Sequence, residues 1–299
     1  MNDSQRDKKI VDIIFAIFFG LVLLGIVISI IQRTNNRTNI FTYQEKRCKE
    51  KLKESELILA NAIYSNNTRN LKWLLETNKN IIDNSYSGER YYSILHYAVD
   101  TQKYEATEQL LKSGYNPNIQ DSCGQTPLYN ASDFFDIYLL YRKEIDNISC
   151  FVDLLLDFNA DPDIADNLLD TPLINTPTGG DDFSIQRLLV EKGKCNINLT
   201  NKDKHSAAYY ALKYEKIYLA HFLIVEHKAD LVKETFVPAY LLRTFVYPLD
   251  SKEYKLKLDI IEEFKRQGVD YYDTVIPDEV LERIKEIYPD TWEEYIKIY

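Results

Sequence analysis

Apolar positions along this chain fall into three regimes. From Ile10 to Ile31 they are continuous, with Asp12 the only charge. Between Glu56 and Leu231 they come in short clusters separated by polar turns, and from Phe236 onward they recur at three- and four-residue spacing. The first regime predicts a transmembrane helix over 10–31, because a rise of about 1.5 Å per residue carries that length across a ~30 Å hydrocarbon core. A secretory signal peptide is the rival reading, but Ser29-Ile30-Ile31-Gln32-Arg33-Thr34 offers no small-x-small cleavage site. A buried core helix is the plainer alternative. The third regime predicts amphipathic helices over Phe236–Tyr247, Tyr254–Gln267, Asp278–Ile287 and Thr291–Tyr299, broken by Pro248, Gly268, Pro277 and Pro289.

The middle regime is periodic. In Asp121-Ser122-Cys123-Gly124-Gln125-Thr126-Pro127-Leu128, a polar turn with glycine leads into a threonine cap, a first-turn proline and an apolar helix. Ser93, Thr126, Thr171 and Ser206 open four copies, spaced 33, 45 and 35 residues apart. Between them run Leu-rich helices closing in turns: Leu110-Leu111-Lys112-Ser113-Gly114, Leu154-Leu155-Leu156, Leu188-Leu189-Val190-Glu191-Lys192-Gly193 and Phe222-Leu223-Ile224.

A period near 33, with Thr-Pro-Leu opening one helix and Leu-Leu-x-x-Gly closing the next, resembles the ankyrin repeat family. The resemblance implies an all-α solenoid of about five helix-pair units with short finger turns. The implied organisation is a tail (1–9), the transmembrane helix (10–31), a linker or stalk (32–54), the repeats (55–232) and a helical C-terminal cap (233–299). It gives Thr126, Pro127, Thr171, Pro172, Gly114 and Gly193 structural roles, and makes His96 a hydrogen-bonding link between turn and helix. Leu169 and Lys204 stand where the family has a turn glycine. The surplus of the third unit falls in 132–147, read either as extra core or as a protruding aromatic contact.

Composition narrows the function. The formal net charge is −10, which argues against nucleic-acid binding. Four scattered cysteines, Cys48, Cys123, Cys150 and Cys195, make no zinc or disulfide framework. No phosphate loop, HExxH or nucleophile-base pairing stands at chemical spacing, so no catalytic, metal or cofactor site and no small-molecule substrate is expected. An enzyme site between the repeats and the C-terminal helices, using His205 or His221, is the alternative, as is a self-assembling structural membrane protein. The primary reading is protein-protein interaction by a scaffold or adaptor, with an inhibitor or immunity-like protein as its narrower form. Tyrosine is frequent, at 23 of 299 residues, and suits binding interfaces. Tyr91, Tyr97, Tyr129, Phe134, Tyr138 and Tyr209 are the candidate partner contacts, and residues 10–31 the contact with the bilayer. The basic tail of Arg6, Lys8 and Lys9 leans toward an extracytoplasmic repeat domain, whereas Arg33, Arg37, Lys46, Arg47 and Lys49 pull the other way.

Overall fold

The computed structural model describes residues 56–78, 92–133, 148–176, 182–231 and 238–299, all within one compact unit, Lys53–Tyr299. The candidate anchor at 10–31, the contacts Tyr91, Phe134 and Tyr138, and most of the 132–147 insert lie outside these residues. Among the described residues there is no strand, and no helix is long and apolar enough to cross a membrane.

Helices come in pairs because each is too short to bury its own apolar side. Unit one is α1 (Leu57–Tyr64) and α2 (Thr68–Thr77), and unit two is α3 (Ile94–Asp100) and α4 (Tyr104–Lys112). Unit three is α5 (Pro127–Ser132) and α6 (Ile148–Asp157), and unit four is α7 (Pro172–Asn175) and α8 (Ser184–Arg187). Unit five is α9 (Ala207–Lys213) and α10 (Ile217–His221). First helices stack on first helices, α3 on α5, α5 on α7 and α7 on α9, while second helices form a layer behind them. The seam between layers is apolar: Leu95, Leu128, Leu155, Leu189, Leu212 and Leu223 are all buried.

The first helices of units two to five start on a hydroxyl. Ser93, Thr126, Thr171 and Ser206 accept from the main-chain N–H three residues on, at 3.3, 3.1, 3.3 and 3.3 Å. Each such cap is worth about 1 kcal/mol. Pro127 and Pro172 take the first turn, where no N–H partner is needed.

Ahead of each cap stands a finger, closed by the same four bonds in units three, four and five. The main-chain N–H of Asp121, Asp166 and Asn201 donates to the carbonyls of Gln125, Asp170 and His205 at 2.8, 2.9 and 3.1 Å. Their Oδ1 atoms accept two further N–H groups each: from Cys123 and Gln125, from Leu168 and Asp170, and from Asp203 and His205. A turn bond from Gly124, Leu169 or Lys204 completes the finger. That fourth residue is left-handed in all three, with φ of 80°, 63° and 62°. The fingers lacking glycine therefore keep the family's shape and carry the strain of a Cβ in that conformation. Adjacent fingers are joined by Asn167 N–H to the Cys123 carbonyl (2.9 Å) and Lys202 N–H to the Leu168 carbonyl (3.0 Å).

The second helices hold a correction. Gly114 closes α4 with φ of 96°, but Gly193 has φ of −70°, and the left-handed residue closing the second helix of unit four is Lys194, at 57°. Tyr115 and Ala160 donate to carbonyls five residues back, whereas Cys195 and Ala229 reach back six, to Leu189 and Leu223. Units four and five thus hold one extra residue, taken up by π-helical turns at Leu188–Lys192 and Phe222–Glu226. Gly193 is required instead for close approach, since a Cβ there would meet the Leu189 carbonyl oxygen at 2.7 Å.

Beyond unit five, α11 (Pro238–Leu242) packs on α9, and α12 (Lys252–Arg266) on α10 and the π turn after it. Gln267 bonds the Leu231 N–H and the Ala229 carbonyl, both at 3.0 Å. Lys228 pairs with Glu263 at 2.8 Å. Then α13 (Asp278–Ile287) and α14 (Trp292–Ile298) close over a cluster of Val246, Val280, Ile284, Tyr295 and Tyr299.

The fingers give the first test. Leu169→Asn, which keeps a residue tolerant of the left-handed region, is expected to stabilise the chain by about 0.5–1 kcal/mol. Gly124→Ala is expected to cost about 2 kcal/mol or more, because its Cβ would also stand 2.8 Å from Asn167 Oδ1 and 2.9 Å from Asn167 N. Urea midpoints of the two variants check both; a lowered midpoint for Leu169→Asn contradicts the strain argument.

Candidate functional site

In units two and three the residue three positions after the cap bonds the following finger. In unit two it is His96, whose Nδ1 meets Ser93 Oγ at 2.8 Å and whose Nε2 meets the Gln125 carbonyl of the next finger at 3.0 Å. In unit three it is Tyr129, whose hydroxyl donates to Asp166 Oδ2 at 3.3 Å. Burial, and then the Asp166 charge, raises the Tyr129 pKa, so the phenol stays protonated. Tyr129 is only 4% exposed and Tyr97 is 0% exposed. Neither ring is a surface contact: these two candidates are core residues, one under a finger and one inside the helix stack.

Unit five is different. Its equivalent residue, Tyr209, is half-buried, and the finger motif does not recur after it. Tyr209 lies parallel to His205, 3.7 Å between centroids and 3° between planes. Tyr210 stands edge-on to Tyr209 and parallel to Tyr214 at 6.1 Å. Burial lowers the His205 pKa, so the imidazole is neutral at pH 7. Lys213 Nζ is 5.6, 5.8 and 5.7 Å from the ring centroids of Tyr209, Tyr210 and Tyr214. The spacing 205, 209, 210, 213, 214 is one broad face of α9 and its approach. Tyr214 is 51% exposed, and on the neighbouring fingertip Leu168 is 57% exposed.

The repetition of finger, cap and helix pair finds its counterpart among known proteins. A family model, "Ankyrin repeats (3 copies)", matches residues 57–147. The likeness to ankyrin repeats rests on these residues. Paired helices continue past them through units four and five, each preceded by a finger. Among solved structures, the crystal structure of EF0377, an ankyrin repeat protein, matches with 17% sequence identity and a TM-score of 0.48. The match covers 70% of this chain and 96% of that one. The search of curated proteins finds no match.

The other histidine weighed for chemistry, in the second helix of unit five, lies between two carboxylates. His221 faces Glu226 at 3.2 Å and Asp259 at 3.4 Å. Among the described residues no group of three or more His, Cys, Asp or Glu is placed to hold a metal ion. Burial pushes the Cys195 thiol up to about 12, so it is a poor nucleophile. An open groove of about 470 Å³ runs past Ser149, Phe183, Arg187 and Lys192 on the second-helix side. Its cations are already paired, Arg187 with Glu191 at 3.0 Å and Lys192 with Asp153 and Asp157 at 2.6 and 2.7 Å.

Sequence reasoning missed the two cations inside the cap. Arg243 is 4% and Lys257 1% exposed. Arg243 donates to the main-chain oxygens of Tyr299 and Tyr271, with its guanidinium 4.0 Å from the Tyr271 ring centroid. Lys257 donates to the Phe245 carbonyl at 2.8 Å and sits 3.5 Å from the Tyr299 ring centroid. Burial, and then the Arg243 charge, pull the Lys257 pKa down to about 6. The unfolded chain holds that proton up to roughly pH 10.4, so between these values it binds more protons than the folded cap. Cap stability is therefore expected to rise with pH across the window from about 6, by up to ~1.4 kcal/mol per pH unit, and to lose this slope below it. Lys257→Met should flatten the dependence. Hydrogen-exchange opening energies of α12 amides at several pH values measure it, and an equal slope in the variant rules Lys257 out as the source.

Proposed function

We propose that this chain is a membrane-tethered ankyrin-repeat scaffold or adaptor, anchored through residues 10–31, that holds a protein partner beside the bilayer. The observation carrying the reading is the half-open aromatic face of unit five, Tyr209, Tyr210 and Tyr214, bordered by the exposed fingertip leucines Leu168 and Leu169. Equivalent positions in units two and three are sealed by the next finger, so unit five is where this scaffold offers rigid aromatic area to another molecule. The anchor rests on the apolar run from Ile10 to Ile31. In this reading the repeats face away from the cytoplasm, following the basic tail.

Two measurements address this. A photo-crosslinking amino acid in place of Tyr214, in the full chain within its own cells, is expected to give one discrete protein adduct that Leu168→Ser with Tyr209→Ala reduces at least about tenfold. The same probe in place of Trp73, also exposed but on unit one, is expected to give none. Equal adducts from both positions reject the face. A reporter fused after Tyr299 reads the topology: activity only outside the cytoplasm is expected, and activity only inside it reverses the proposed orientation.

A further inference from the structure

The finger side of the repeats changes sign at unit five. In the strips 121–133 and 166–176, each covering a finger and a first helix, the only charged residues are Asp121, Asp133, Asp166 and Asp170. In 201–214 they are Lys202, Lys204 and Lys213 against Asp203 alone. All three lysines are exposed, and among the described residues none has a carboxylate within ion-pair distance. Many cations elsewhere in the described repeats and cap do pair, Lys112 with Glu108 and Lys285 with Glu282 at 2.7 Å each among them. The unit-five lysines therefore form a locally basic surface on a chain of net charge −10.

Lys213 is also preorganised. Three tyrosine rings stand within 6 Å of its ammonium, which restricts its rotamers before anything binds. A carboxylate arriving there meets a positioned charge. At the fingertip, Lys202 N–H donates to the Leu168 carbonyl over 3.0 Å, so there basic and apolar features adjoin.

We infer that the finger face of unit five seats an acidic protein segment carrying aliphatic side chains, its carboxylates on Lys213 and the Lys202–Lys204 fingertip and its apolar residues against Leu168 and Leu169. This rests on the proposed function and names the partner's chemistry. A long polyanion fits poorly: the patch is one repeat wide, while nucleic-acid binding draws on many phosphate contacts, and the neighbouring strips are acidic.

The test uses the full chain in detergent micelles and fluorescence anisotropy of three labelled probes. These are a short peptide of Glu and Leu, the same peptide with Gln for Glu, and an oligothymidylate. The Glu-Leu peptide is expected to bind, to weaken about tenfold from low to high salt, and to lose binding on Lys213→Glu with Lys204→Glu. Lys213→Arg and the distant Lys255→Glu are expected to leave it within about twofold. The Gln peptide and the oligothymidylate are expected to bind at least about tenfold more weakly. Equal binding of the Gln peptide, equal binding of the oligothymidylate, no binding at all, or indifference to Lys213→Glu each overturns the acidic-partner inference. The Tyr214 adduct is read separately. Adduct present with the peptide prediction failed leaves a protein partner of other chemistry; adduct absent removes the docking face itself.

Discussion

One side-chain oxygen closes each finger, and the stack depends on it. Asp121, Asp166 and Asn201 each offer an Oδ1 to two main-chain N–H groups, at 2.8 to 3.1 Å. These N–H groups cannot join a helix, and leaving them unpaired under a neighbouring repeat would cost about 1–3 kcal/mol each. With the finger closed, its outer carbonyls and N–H groups are aligned to bond the next finger. The same closure sets the cap residue one position beyond the finger and so fixes where the first helix starts. Ser/Thr caps, first-turn prolines and the stacking of first helices all inherit their register from it.

That register explains why one position serves both stability and recognition. Three residues after the cap, a side chain points under the following finger: His96 bonds the Gln125 carbonyl and Tyr129 bonds Asp166. The polar tip satisfies the finger and the ring fills the space below it. At unit five the same position holds Tyr209, and the ring, with Tyr210, is only partly buried, while Tyr214 is exposed.

The helix starts were legible because caps and prolines act locally: Thr126-Pro127 and Thr171-Pro172 specify their helices without help from distant residues. The fingers were legible only in part. Leu169 and Lys204 lack the glycine that marks a left-handed turn, yet both adopt one, since the shared finger bonds outweigh a strain of roughly 1–2 kcal/mol. The π turns at Leu188–Lys192 and Phe222–Glu226 were hidden, because one extra residue in a Leu-rich helix leaves its apolar pattern nearly intact. As for the site, Tyr209 could be named from its motif position, but Tyr97 and Tyr129 could not be told from it. Exposure depends on whether a further finger covers the ring, and composition carries no trace of that. Lys213 escaped notice as one lysine among many, and its setting comes from three rings placed four and three residues before it and one residue after it.

Basic side chains are used in two opposite ways in this molecule, and the contrast bears on which surface binds. Arg243 and Lys257 are buried in the cap against main-chain oxygens and tyrosine faces. Reaching them would mean opening a core that includes Tyr271 and Tyr299. Lys213 uses the same chemistry at the surface, an ammonium framed by tyrosines, but with its remaining donors toward solvent and no carboxylate partner among the described residues. A framed, solvent-facing cation has already given up part of its freedom and hydration, so an incoming anion has less to displace. Of the two clusters, the cap's therefore consolidates the end of the stack, and unit five's is the one open to an incoming group, as the proposed function requires.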